Sequence, residues 1–461
     1  MASFTPGPSY VEMLHPSRLP VGLRERALSV RARDEFDPLN LYNITWRDDR
    51  DRVRHVVLPR ALTGVEANII VLLGCEFPSG SHKVGAAYVT LMEGEQAGEI
   101  DPARSRIIGP STGNFGIGVA YIARLMGYPA VIIMPEEMSA ERYDRIRQYG
   151  GELDLTPGSE SDVILVLERT QQYKKDSRNK VLAQFELLPN YRFHRYVTGS
   201  SALETASAYR NGRIAAFVAA PGSAGTLAAG DEIKERFSDA VVCALEPREC
   251  ATLYRDGRGK HRIEGIGDKM VTLIHNVLTT DYVALIHDDD CLRGLRLLKE
   301  GSRLLKASVL PEAGTVESLD GQLGISSICN IIGAIKMAKL LGLGEDDNIV
   351  TIATDGFDRY PSVMTDLEER EGPLSDQLLL EWHERIFVGV DTRDILDVRP
   401  KAEKERLFHQ KAKVWTEFGY SVGYLERMRF QSFWDAEHAK IPEIDEACLR
   451  RRRPAPAAPS K

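Results

Sequence analysis

Arg106-Ile107-Ile108-Gly109-Pro110-Ser111-Thr112-Gly113-Asn114-Phe115-Gly116-Ile117-Gly118 is the stretch that decides how this chain folds. Arg106–Gly109 is a short β-branched run and predicts a buried strand. Ser, Thr, Gly and Asn then make a loop, and Gly116–Met126 is apolar enough to predict a buried helix. A strand, a polar loop and a helix in immediate succession form the βα unit of a parallel sheet covered on both faces. The alternation continues outward in both directions. Strands are predicted at Asn68–Gly74, Ala130–Met134, Glu152–Leu155, Ala215–Ala219, Val241–Leu245 and Asn348–Ala353, and helices at Ala140–Tyr149, Asp162–Lys175 and Leu227–Arg236. The fold class is therefore α/β. Open sheets of this kind bind ligands beyond the carboxyl ends of their strands, so the loops there are the places to look for chemistry.

A chain of 461 residues is long for one core and predicts two lobes. Its 43% apolar and 27% charged residues suit an ordinary globular protein. A net charge of −8 recruits neither nucleic acid nor an anionic membrane surface. The six cysteines are scattered, without CxxC or Cys/His ligand spacing. That argues against a disulfide framework or a metal site and for a reducing, cytoplasmic setting. Met1–Pro20 has no signal-peptide pattern, and no apolar run approaches the roughly 20 residues of a membrane span. Residues 1–60 read as an N-terminal arm and 61–360 as a two-lobed core whose smaller lobe covers roughly 105–200. Residues 361–450 read as a helical extension anchored by Trp382, Trp415, Tyr420, Tyr424 and Trp434, and 451–461 as a disordered arginine- and proline-rich tail.

Three loops carry candidate chemistry. In Pro78-Ser79-Gly80-Ser81-His82-Lys83 the lysine stands where a turn leads into a helix. It is either a surface residue behind a serine cap or a lysine that forms an imine with an aldehyde cofactor, for which it must be neutral. Ser111–Gly116 points backbone N–H groups and hydroxyls at a helix start, a field suited to a carboxylate or phosphate, though a plain capped turn would look similar. Gly222-Ser223-Ala224-Gly225-Thr226 has the glycines of a phosphate cradle but not the lysine of a nucleoside-triphosphate loop. No acidic residue follows at the dinucleotide position, so a Rossmann-type site is disfavoured.

Taken together and in order, these loops resemble the fold-type II pyridoxal-phosphate (PLP) enzymes, in the cysteine synthase and cystathionine β-synthase branch. Gly80-Ser81-His82-Lys83 is similar to that family's imine-lysine motif, and Ser111-Thr112-Gly113-Asn114 to its substrate-carboxylate loop. Met134–Ser139, Glu141-Arg142, Tyr149–Leu153, Gln184-Phe185, Asn190, His194, Thr198-Gly199, Gly222–Thr226, Leu245–Pro247, His261–Gly267 and Gly324–Ser327 follow co-linearly over roughly residues 60–360.

The resemblance implies PLP held between two lobes. Lys83 would be the imine lysine and proton shuttle. Asn114 would bond the ring hydroxyl. Ser111, Thr112, Gly113 and Gln184 would hold the substrate carboxylate. Gly222, Ser223, Ala224, Gly225 and Thr226 would bind the phosphate, and Gly265 would lie in a loop closing near the substrate. The serine expected as partner of the ring nitrogen is replaced in Thr354-Asp355-Gly356-Phe357-Asp358-Arg359-Tyr360, where strand register favours Thr354 over Asp355. The implied activity is β-replacement on a small amino-acid substrate with a Cβ leaving group, through an aminoacrylate. β-Elimination by a lyase, desulfhydrase or serine/threonine-type dehydratase stands second. A nucleotide-dependent Rossmann enzyme or a non-catalytic binding protein is the remote alternative. A homodimer is implied by analogy.

Overall fold

The computed structural model describes residues 4–111, 113–159, 161–308 and 319–452. Among these residues the strands in chain order are β1 (His55–Val57), β2 (Asn68–Leu73), β3 (Arg106–Pro110), β4 (Ala130–Glu137), β5 (Glu152–Ser159), β6 (Asn179–Val181), β7 (Ile214–Ala219), β8 (Val241–Pro247), β9 (Tyr282–Ile286), β10 (Asn348–Ala353) and β11 (Ile395–Asp397). They form two sheets, a seven-stranded one ordered β1-β2-β10-β7-β8-β9-β11 and a four-stranded one ordered β5-β4-β3-β6. The small sheet is parallel throughout. In the large sheet β2, β10, β7, β8 and β9 run parallel, and the short edges β1 and β11 are antiparallel.

The sequence accounts for this division. Asn-Ile-Val-Thr-Ile-Ala in β10 is buried at every position, as a central parallel strand covered on both faces must be. The helix Asn114–Met126 is buried almost all round and stops at Gly127, which adopts the left-handed conformation that suits glycine. All seven predicted strands and all four predicted helices are present within a few residues of the predicted bounds. Four strands have no counterpart among the predictions. Three of them are three-residue edges without an apolar run, and β9 is a plain Tyr-Val-Ala-Leu-Ile run leading directly into the helix Asp288–Glu300.

The extension does not stand apart from the core. Trp415, Trp434, Leu425 and Met428 share one apolar cluster with Phe185, Met270, Leu273 and Ile274. The Trp415 indole donates to the Val271 carbonyl at 2.9 Å, and the Lys411 ammonium donates to the carbonyls of Leu273 and His275. Arg451 and Arg452, expected in a disordered tail, are helical. Arg451 and Arg452 complete the helix Ile441–Arg452 because Arg452 pairs with Glu12 at 2.6 Å and lies over the Tyr42 ring, while 453–461 fall outside the described residues. Among the described residues no helix is long and apolar enough to cross a membrane.

Candidate active site

Four loops meet at the carboxyl ends of parallel strands. Beyond β2, Phe77–Gly80 turns tightly with Ser79 at φ +65°, and Lys83 opens the helix Lys83–Gln96. Lys83 is 9% exposed, so burial overturns the surface reading of this lysine. Beyond β3 lies the loop 111–114, and beyond β7 lies Gly222–Thr226, which runs through a 3-10 turn into the helix Ala229–Arg236. Beyond β10 comes Asp355, joined to Ser81 by an isolated bridge.

Close packing draws these loops together. The helix Asn114–Met126 approaches the start of the lysine's helix so closely that a Cβ on Gly118 would sit 3.1 Å from the Val84 Cα. The Asn114 amide donates to Asp355 Oδ2 at 2.5 Å, tying the small-sheet loop to the end of β10. Ser111 turns its hydroxyl onto its own loop, accepting from Gly113 N at 3.0 Å and Gly116 N at 2.8 Å. It therefore sets the loop's shape. Thr112 lies outside the described residues.

The Gly222–Thr226 loop has the curvature of an anion nest, with Ala224 at φ +65°. Asn190 Nδ2 donates to Ser223 Oγ at 3.0 Å, and Thr272 Oγ1 donates to the Ser223 carbonyl at 2.8 Å. A Cβ on Gly225 would lie 2.3 Å from Asn190 Oδ1, and one on Gly222 would lie 2.6 Å from the carbonyl of Gly265. Gly265, at φ +96°, thus backs this loop and has open space on its own side.

The inward-facing residue after β10 is Asp355, not Thr354. The strand register ends at Ala353, and the bridge to Ser81 sets the direction from there, leaving Thr354 half-buried. Asp355 also accepts from the Tyr360 hydroxyl at 2.8 Å and lies 3.7 Å from the Arg142 guanidinium. Burial raises its carboxyl above the usual range, opposed by Arg142 and the Asn114 bond. Arg142 also pairs with Glu264.

Glu264 ties its segment to the start of the helix Ala140–Gln148, accepting from Ser139 N at 3.1 Å and Ser139 Oγ at 3.0 Å. A cleft of about 690 Å³ opens beside it, lined by Glu137–Ala140, Lys260–Arg262 and Ser362 among others. Residue-type reasoning missed Arg142, Glu264 and Tyr360 as site elements. Arg142 had a signal in its Glu-Arg pair, but Glu264 and Tyr360 are joined to it only by the tertiary fold.

The residues present fit a polar group that the protein itself does not supply. Gln184 Oε1, Asn190 Oδ1, Ser79 Oγ and both ring nitrogens of His82 are buried with no hydrogen-bond partner among the described residues. Buried polar groups in this condition are rare and call for a partner. His82 and His194 meet edge to face, with ring centroids 5.1 Å apart and an interplanar angle of 61°. Burial pushes both imidazoles well below the usual histidine range, helped for each by the charge of Lys83, so they are neutral and each can donate one N–H. A buried lysine, a backbone cradle for an anion, and an unpartnered hydroxyl and neutral imidazole beside two unpartnered amide oxygens together suit a phosphorylated aldehyde.

The comparisons agree. Residues 56–355 match the family model described as "Pyridoxal-phosphate dependent enzyme". The chain is 31% identical over 297 residues to a cysteine synthase of Staphylococcus aureus, covering 64% of this chain and 88% of that one. Among solved structures, it resembles a hydrogen sulfide-producing enzyme of Fusobacterium nucleatum carrying an α-aminoacrylate intermediate, at 29% identity and a TM-score of 0.59, over 75% of this chain and 92% of that one. It also resembles an O-ureido-L-serine synthase at 26% identity and a TM-score of 0.58, over 71% of this chain and 95% of that one. With the family model spanning well over half its length, this chain belongs to the pyridoxal-phosphate-dependent enzymes, in the cysteine synthase branch.

Proposed function

We propose that the chain catalyses β-replacement on an amino acid bearing a Cβ leaving group, a sulfur-containing or O-activated serine, with PLP on Lys83. The observation that carries this reading is the meeting of a buried lysine, the Asn114–Asp355 pair and the Gly222–Thr226 nest at the carboxyl ends of neighbouring strands. PLP supplies an electron sink when bound, and the protein supplies position and proton transfer.

Lys83 Nζ takes the proton from Cα and returns it. Asn114, braced by Asp355, holds the ring hydroxyl. The N–H groups of residues 222–226 hold the phosphate at the start of a helical segment, where the field favours an anion. Gly113 and Gln184 hold the substrate carboxylate, within a loop shaped by Ser111. Arg142, Glu264 and Ser139 bond to one another at one wall of the cleft and fix its shape. The likeness to a hydrogen sulfide-producing enzyme favours β-elimination as the second reading. The six cysteines are free, in keeping with a cytoplasmic enzyme, and we assign it a homodimeric state.

The test is absorbance with a panel of amino acids. Purified protein loaded with PLP is expected to show an imine band that moves on adding O-activated serine or cysteine. A new amino acid should form when a nucleophile is supplied. Keto acid and ammonia formed at the same rate with or without a nucleophile would establish elimination instead.

A further inference from the structure

Asp268 is left unused by the proposal above. It is 5% exposed, and both of its carboxylate oxygens are buried with no hydrogen-bond partner among the described residues. Among the described residues the other buried acids keep at least one oxygen paired, Glu95 and Asp355 each leaving a single oxygen without a partner. Glu246 accepts from Leu253 N at 2.8 Å and Tyr254 N at 3.0 Å, and Asp231 accepts from Tyr191, Asn276 and Thr279. A carboxylate kept for folding has such donors, because an unpaired buried one destabilises the fold. Asp268 is held in place by its loop instead. Gly267, at φ +78°, donates to the Pro221 carbonyl at 3.0 Å, and Thr272 bonds the Ser223 carbonyl, so the segment lies against the anion nest. Lys83 and the Cys250 thiol sense its charge, and the adjacent Lys269 ammonium is paired with Asp162 at 2.6 Å. Burial pushes its carboxyl up to about 7, with Lys83 opposing, so both protonation forms are available near neutrality.

β-Replacement needs proton transfer at two places. One proton leaves and returns at Cα. Another goes to the departing group at Cβ and is later taken from the nucleophile. Lys83 serves the first place. We propose that Asp268 serves the second, and that it thereby tunes the site to nucleophiles that arrive neutral and carry a proton (water, an alcohol, an amine or a thiol) over hydrosulfide. This rests on the function proposed above.

In the first half, the Cα–H bond breaks to Lys83 and its electron pair forms the Cα=Cβ bond. The Cβ–X bond breaks with its pair on X, and the Asp268 carboxylic acid gives X its proton, so HX leaves. In the second half, the lone pair of Nu–H forms the bond to Cβ. The resulting carboxylate of Asp268 takes the nucleophile's proton, and Lys83 returns a proton to Cα. No oxidant or further reactant enters. A pre-ionised hydrosulfide needs no base and is repelled by the carboxylate in a low-dielectric site.

The test uses PLP-loaded protein and the near-isosteric Asp268→Asn. The imine band should be unchanged. After the substrate-induced band has formed, its decay on adding an amine or alcohol should slow by about 10²-fold or more, the usual worth of a positioned acid or base. With the alcohol, which does not itself titrate there, the pH dependence of that decay between about pH 5 and 9 should be lost, and the decay with hydrosulfide should be as fast as wild type or faster. Equal decay for the neutral nucleophiles with an unchanged pH profile overturns the inference, as does an equal loss with hydrosulfide. If the Asn variant does not take up PLP, Asp268→Ala with added formate decides: recovered decay supports the role, and none overturns it. A wild-type protein without an imine band would sink the proposed function itself, a different outcome from a wild-type imine with an indifferent Asp268.

Discussion

Asp355 shows at the scale of single residues how the site is wired. Its carboxylate is shared by Asn114, Tyr360 and Arg142, and Arg142 is fully buried. Without Asp355, Arg142 keeps its pairing with Glu264, so the cost is that of leaving the buried Asn114 and Tyr360 donors without their acceptor, about 1–3 kcal/mol. Asp355→Ala is therefore expected to lower stability by that order in a denaturant titration and to weaken PLP binding through the loss of the Asn114 brace. Asp355→Asn should do less of both. Lys83, Asn114 and the glycine loop were legible in the sequence because each sits in a short run whose residue types already suit the chemistry. Glu264, Tyr360 and the orphaned Asp268 were not. Their significance comes from burial and from partners in distant segments, such as the Ser139–Glu264 bonds across 125 residues of chain. The choice between Thr354 and Asp355 was not legible for a local reason, since alternation along a strand says nothing once the strand has ended at Ala353.

The anion nest and the clamp on the following segment carry the predictions for single elements. Gly225→Ala would bring a Cβ to 2.3 Å from Asn190 Oδ1, so Asn190 must move and release Ser223. The expected result is at least a tenfold rise in the PLP dissociation constant by titration, with little change in the far-ultraviolet circular dichroism. The segment 271–275 is gripped by the helix Lys401–Glu417 through Trp415 and Lys411. Trp415→Ala empties a fully buried site and should cost about 3–5 kcal/mol in global stability. Burial pushes the Lys411 amine down to about 7, against about 10.4 in the unfolded chain. Between those values the unfolded chain binds more protons, so this group makes stability rise with pH from about 7 to 10. Lys411→Met should flatten that rise in melting experiments run across the range. The sequence announced the aromatic anchors of the extension but not this grip, because a lysine in a charged helix reads as solvated until its carbonyl partners are known.

Two sheets joined by a clasp define the molecule as a whole. Ser139, Glu141, Arg142 and Arg145, beside or on the helix Ala140–Gln148, bond Glu264, Ser362, Tyr360 and Asp358 on the far side of the cleft. The strand–helix alternation pointed to parallel sheet covered on both faces, and the resemblance implied its division between two lobes. The clasp is a product of their packing and left no local mark. Glu264→Ala is expected to loosen it, raising KM for the amino acid several-fold while the imine band stays in place, which steady-state kinetics beside absorbance would show. All of this depends on one bond between Lys83 and the cofactor, and reduction of the PLP-loaded protein with borohydride followed by peptide mass mapping tests that bond most directly. A pyridoxyl mass is expected on the peptide containing Lys83 and none in Lys83→Ala. A mark on another lysine, or no mark on a protein that has been given PLP, would contradict it.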